Sequence, residues 1–237
     1  MSRRDGRKPN ESRKIEIEFG GLARVDGSAR FSFGTCRALA SVTGPVEIRQ
    51  LIELPDRATL EVAVRPIAGV PATPEKALAK HIHDILRPTL LLNQHPRSLI
   101  QLTVLALSPS PASNQASYAA THVNAASLAL LNAASIPMRG VLCAVAVGIS
   151  ETGELLLDPA DGECPRAGCF SFYFSEVDAP DGEIVWADWK GATSKAEYER
   201  ATTLARTGAK QVLTQIREEM PASGGKRSKD TTSMDVS

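Results

Sequence analysis

The chain has 237 residues, enough for one large domain or two small ones, and 43% of them are hydrophobic, enough for a sizeable core. Its 27 Lys and Arg balance 27 Asp and Glu, which argues against a protein that binds nucleic acid on its own through a strongly basic face, though not against RNA binding within a larger assembly. No apolar run reaches the length of a membrane span, and the charged start MSRRDGRKPNESRK lacks the apolar core of a signal peptide, so an intracellular protein with reduced thiols is expected.

Residues 1–14 are polar and basic and read as a mobile segment. KIEIEF (14–19) alternates as a strand does, and the Asp26-Gly27 turn leads into a second strand. CRALASVTGP (36–45) is a β-rich run that Gly44-Pro45 is expected to stop. RATLEVAVRPI (57–67) alternates cleanly, with Leu60, Val62 and Val64 on one face. TPEKALAKHIHDILR (73–87) predicts a helix capped by Thr73, with Pro74 at its start, Glu75 in its first turn and an apolar stripe of Leu78, Ile82 and Ile85. HPRSLIQLTVLAL (95–107) predicts a turn and a strand.

Residues 115–134 form a long helix that is apolar nearly all round and is therefore expected to be buried on most sides. Four strand-like runs follow, at 141–149, 154–159, 168–176 and 183–191. The last helix, 194–220, is amphipathic, with Ser194 and Glu197 at capping-box spacing. The polar tail 221–237 is expected to be disordered, and its GGKRSK cluster reads either as a solubilising tail or as a nuclear-localisation element, for which so short a run is weak evidence. One domain thus spans 15–220, and strands and helices mix without strict alternation, which makes the fold class α+β with mixed or mostly antiparallel sheets.

Chemistry-bearing residues are sparse. Cys36 and Cys143 sit in apolar strand-like runs and read as buried thiols, and Cys164 and Cys169 form a C-x4-C pair with no second pair. His81 and His83 lie two apart on a helix and point away from each other, while His95 and His122 read as structural. No zinc site and no cofactor is expected. Ser108 to Asn114 precede the long helix, where helix-end N–H groups can hold a phosphate. This loop has no glycine and no basic residue, and Pro109 and Pro111 remove donors, so Ser113 or Asn114 is expected only to cap the helix.

Several stretches together resemble the RNase PH superfamily. RRDGRKPNESRKIEIEFG followed by DGSARFSFGTCRALASVTGPVE is similar to the family's opening, NAASLALLNAASIPMRG to its N-A-A … G-I-P-M-R segment, and GELLLDP to its later L-D strand. The resemblance spans residues 4 to about 217 and is greatest for eukaryotic exosome ring subunits. It implies an RNase PH-like (ribosomal protein S5 domain 2-like) fold of paired βαβα-type halves, six such domains forming a ring around a pore. Active members are phosphorolytic 3′-to-5′ exoribonucleases.

Phosphorolysis requires an anion site, an acidic group and basic side chains that place the RNA. The family's Gly-rich, Arg-bearing phosphate loop falls at Ser108–Asn114, where glycines and Arg are absent. The family's Asp falls at Cys169 or Phe170. Asp158, Asp161 and Glu163 read as strand-end and turn residues. A catalytically inert subunit is therefore expected. Its partners would be other RNase PH-type ring subunits, S1/KH-type cap subunits, an associated catalytic nuclease and single-stranded RNA in the pore, in nucleus, nucleolus and cytoplasm. Arg65, Lys76, Lys80 and Arg87 are the candidate RNA contacts, since the resemblance places this region toward the pore or active cleft, and the competing reading is a solvated helix face. The alternatives are an active phosphorolytic homo-oligomer and a free RNA-binding module, the latter disfavoured by the charge balance.

Overall fold

The computed structural model describes residues 3, 5–111, 115–175 and 182–220 in full and 221–224 in backbone. Five strands, β1 (Ile15–Phe19), β2 (Gly27–Phe33), β3 (Cys36–Glu47), β4 (Thr59–Arg65) and β5 (Ser98–Ala106), form one sheet in the order β1-β2-β3-β5-β4. All neighbours are antiparallel except β4 and β5, which are joined through helix α1 (Thr73–Leu86) as a parallel pair requires. Strands β6 (Val141–Ile149), β7 (Leu155–Leu157), β8 (Arg166–Phe174) and β9 (Glu183–Lys190) form a second, wholly antiparallel sheet ordered β7-β6-β8-β9. Of the paired βαβα-type halves that the resemblance implies, the described residues show a βαβ crossover in the first.

Helix α2 (Ala116–Ala133) lies between the sheets, touching β2 and β3 on one side and β6 and β8 on the other. Its sequence explains this position. Ala120, Ala125, Ala126 and Ala129 are buried and let both sheets approach, and Leu128 and Leu130 fill the remaining space. Gly27 makes the closest approach, for a Cβ there would stand 2.4 Å from the Ala129 carbonyl oxygen. Asn124 ties the helix to β6, its Nδ2 donating to the Ala144 carbonyl at 2.8 Å and its Oδ1 accepting the Ala144 N–H at 2.6 Å. Helix α3 (Lys195–Gly224) covers β6, β7 and β8 and reaches β1. Ser194 and Glu197 form the expected capping box at its start.

Two local expectations differ. β3 does not stop at Gly44-Pro45 but runs to Glu47 through a register shift between Thr43 and Val46, with a cis Gly44-Pro45 bond. Gly44 has φ 144° and no room for a Cβ against the Leu99 carbonyl, and its N–H donates to Asp26 Oδ2 at 2.7 Å, so the jog is held from outside the strand. α1 is capped one residue earlier than Thr73, by Ala72, whose N–H donates to Glu75 Oε2 at 2.8 Å. α3 extends four residues past its expected end, and residues 225–237 of the expected tail lie outside the described residues. Among the described residues no helix is long and apolar enough to cross a membrane.

Candidate active site

The topology places β9 beside β8 and brings the first halves of α1 and α2 over them. A cleft of about 190 Å³ opens between these four elements, lined by Leu78, His81, Gln115, Tyr118, Cys169 and Trp186, with Glu75, Asp188 and Lys190 at its edges. Ser110 also lines it, so the loop before α2 and the β8 position expected to carry an acid meet in one place. Residues 112–114 of that loop, including the expected caps Ser113 and Asn114, lie outside the described residues. The N-cap position of α2 is taken by Gln115, which makes no side-chain cap bond.

Strand alternation decides between Cys169 and Phe170. Cys169 faces the cleft, whereas Phe170 points into the opposite layer and packs against Trp189 and Tyr198, with ring centroids 6.1 and 5.7 Å away. The Cys169 thiol is 2% exposed. Burial, reinforced by the Asp188 charge, pushes its pKa far up, so it is a neutral thiol at physiological pH. Tyr118 is raised to about 12 by burial and by Glu75 and Cys36. Lys190 Nζ donates to Gln115 Oε1 at 3.4 Å, and Glu75 is occupied in capping its own helix. His81 stacks on Trp186 with ring centroids 5.1 Å apart. The cleft is thus lined by two acids, Glu75 and Asp188, one lysine, Lys190, and a largely apolar remainder, a poor environment for inorganic phosphate. No group of three or more His, Cys, Asp or Glu among the described residues could hold a metal ion.

The acids after β7 sit elsewhere. Asp158 ends β7 as expected, but it is also buried and fully engaged. It accepts from Arg13 Nη2 at 2.6 Å, Arg13 Nε at 2.7 Å, the Arg13 backbone N–H at 3.0 Å and Ser117 Oγ at 3.0 Å. Glu163 pairs with Arg3, whose guanidinium also donates to the carbonyls of Leu157 and Asp158, each at 2.9 Å. The polar start of the chain, expected to be mobile, therefore lies against the end of β7 at Arg3, Arg7 and Arg13. Its arginines face carbonyls and carboxylates that the sequence separates from them by some 150 residues.

His122 is buried in α2, its Nδ1 2.7 Å from the Tyr118 carbonyl, and burial lowers its pKa to about 4. It is structural, as expected. Cys143 is buried, but Cys36 is only half-buried and stands 3.7 Å from Arg13 Nη1.

The four candidate RNA contacts are all exposed, but they do not form one site. Arg65 ends the strand that leads into α1, and Lys76 and Lys80 are one turn apart on that helix. Arg87 caps the other end of α1 and joins Arg57 and Arg139 around a separate cleft. The sequence carries no local signal for Trp186, Asp188 or Lys190, because only the β8–β9 pairing brings them to Cys169.

The model of the 3′ exoribonuclease family (RNase PH), domain 1, matches residues 11–135. Exosome complex component RRP46 of Saccharomyces cerevisiae is 33% identical over 148 residues, 61% of this chain and 66%, about two thirds, of that one. Exosome complex component Rrp41 of Thermococcus onnurineus is 34% identical over 230 residues, 90% of this chain and 86% of that one. The crystal structure of rice (Oryza sativa) Rrp46 superposes with a TM-score of 0.83 at 24% identity, covering 92% of this chain and 100% of that one, which establishes the shared RNase PH-like fold. With its central α2 between two sheets and the matching first domain, the chain belongs to the RNase PH family of 3′ exoribonucleases.

Proposed function

We propose that the chain is a non-catalytic, structural subunit of the RNA exosome ring, supporting 3′-to-5′ RNA processing and degradation, including maturation of ribosomal RNA. The likeness to exosome components from yeast and archaea supports the ring role. The observation that carries the non-catalytic part is Cys169, a buried neutral thiol in the lining of the cleft at one of the two positions, Cys169 or Phe170, where the family resemblance places an acid. A neutral thiol neither assists proton transfer at pH 7 nor binds a hard metal ion. Asp158 offers no substitute, since Arg13 and Ser117 occupy its carboxylate.

In this reading the chain pairs with other RNase PH-type subunits, beneath S1/KH-type cap subunits, and hands RNA to an associated catalytic nuclease. Single-stranded RNA in the pore would be met by Arg65, Lys76 and Lys80, whose exposed cations suit a phosphate backbone. Arg87, the fourth candidate, stands at the far end of α1. The working location is the nucleus and nucleolus, with a cytoplasmic pool. The test is release of nucleoside diphosphates from RNA by the pure chain with inorganic phosphate. No release is expected, and phosphate-dependent release would overturn the non-catalytic assignment and support a phosphorolytic homo-oligomer.

A further inference from the structure

One end of the five-stranded sheet carries a surface that the ring reading leaves unused. Leu51 is 96% exposed, and Val46, Ile52 and Leu54 are exposed beside it. These residues are neighbours in space. Val46 and Thr59 flank Leu99 on adjacent strands, Thr59 Oγ1 donates to the Ile52 carbonyl at 3.1 Å, and the Leu54 carbonyl accepts from the Arg97 N–H at 3.1 Å. Large aliphatic side chains this exposed and this close together mark a surface that is covered in the working protein.

The aliphatic ridge runs into an arginine cleft. Leu54, Arg57, Leu60, His83, Arg87 and Leu92 line its near part, and Arg57, Arg87, Leu92 and Arg139 line its continuation. Arg139 is delivered from the segment after α2, which is clipped to the end of α1 by Leu91 N–H to the Pro137 carbonyl at 3.0 Å and Arg139 N–H to the Thr89 carbonyl at 2.8 Å. Asp56 and Asp84 also line the cleft; Arg57 is paired with Asp56 at 2.7 Å, and Asp84 lies 3.0 Å from His83 Nδ1, an ion pair only when that ring is protonated. Among the described residues Arg87 and Arg139 have no ion-pair partner. Two unpaired guanidiniums beside an apolar ridge fit a carboxylate flanked by aliphatic side chains. Single-stranded RNA would call for stacking aromatics beside the cations, and among the described residues no Phe, Tyr or Trp lines this surface.

We propose that Val46, Leu51, Ile52 and Leu54, with Arg87 and Arg139, form a docking site for an acidic, aliphatic segment of another protein chain. The proposal rests on the ring reading, since it names one contact of the assembled subunit. The site lies beyond the far ends of α1 and α2 from the Cys169 cleft, and α2 alone spans about 27 Å, so what docks here leaves that cleft untouched.

The test is a photo-reactive amino acid in place of Leu51 in the full-length chain, irradiated in its own cells, with crosslinked peptides read by mass spectrometry from the gently purified assembly. The expected product joins position 51 to a segment of one other protein chain that contains Asp or Glu. Arg87→Glu with Arg139→Glu should lower its yield about tenfold. All these positions are exposed, so the variants should fold as the parent does. A crosslink to RNA or to a second copy of this chain, or an intact hetero-assembly with no crosslink, overturns the docking site and leaves the ring reading standing. A chain that purifies alone and uncrosslinked overturns both.

Discussion

Arg13 and Asp158 lie 145 residues apart in sequence and meet as a bidentate ion pair, with Nη2 to Oδ1 at 2.6 Å and Nε to Oδ2 at 2.7 Å. Burial works against the Arg13 charge, but Asp158's hydrogen bonds and charge outweigh it and raise the guanidinium pKa. The pair ties the start of the chain to the end of β7, and Ser117 Oγ adds the first turn of α2 to the same carboxylate. Asp158→Ala leaves Arg13 partly buried and uncompensated and should cost about 3–5 kcal/mol. Urea unfolding measures this. The Arg13→Ala, Asp158→Ala double variant should lose much less than the sum of the single variants, and simple additivity would show that the pair does not couple the two halves.

The His122 ring gives the fold a pH dependence. Its pKa is held down at about 4 by burial, against an ordinary value of 6.5, so between these values the unfolded chain binds one more proton than the folded one. Its contribution is full above pH 6.5 and is lost as the pH falls toward 4, by about 3 kcal/mol in all. His122→Met cannot titrate. The stability difference between parent and variant, followed by urea unfolding from pH 7 to pH 4.5, should therefore shrink or change sign. A constant difference would mean that the ring is already solvated.

Thiol reactivity should follow the burial pattern. Cys36 is half-buried beside Arg13, whereas Cys143 and Cys169 are buried with pKa values pushed well up, and Cys164 is raised to about 12. Brief alkylation of the native chain at pH 8 should modify Cys36 first, with the other three at least about tenfold slower. Peptide mapping by mass spectrometry reads the order. Early modification of Cys169 would mean that the cleft floor is open to solvent and its thiol available for chemistry.

Gly27→Ala tests the packing of α2. The added methyl would stand 2.4 Å from the Ala129 carbonyl oxygen and 2.5 Å from the Ala133 nitrogen, both backbone atoms that cannot rotate away. A loss of roughly 2–3 kcal/mol or more is expected. Ala substitution at Gly153, where nothing lies within 4 Å, meets no contact and costs only its positive φ, so thermal unfolding should rank it well below Gly27→Ala.

What the sequence made legible was local. The alternation of KIEIEF and RATLEVAVRPI, the all-round apolar face of α2 and the Ser194-Glu197 box each carry their own signal within a few residues, and the strands form inside those stretches, as Ile15–Phe19 and Thr59–Arg65. Misjudged features depend on partners far away in the chain. β3 passes through Gly44-Pro45 because Asp26 and β5 hold the jog, which the Gly-Pro pair alone does not announce. RRDGR looks like a solvated arm until Asp158, Glu163 and the β7 carbonyls are set beside it. The site divides the same way. The resemblance narrows the acid's position to Cys169 or Phe170, the alternation of β8 decides for Cys169, and Trp186, Asp188 and Lys190 reach the cleft only through the pairing of β8 with β9. Arg87 was grouped with Lys76 and Lys80 by proximity in sequence, but it closes α1 at the other end and meets Arg57 and Arg139 there.

The central claim is a structural role within a hetero-oligomeric ring, and native mass spectrometry of the tagged chain purified gently from its own cells tests it most directly. The expected species is an assembly of about nine or more different chains with one copy of this one, the six ring domains and their associated subunits. A dimer or hexamer of this chain alone, releasing nucleoside diphosphates from RNA in the presence of phosphate, would contradict it.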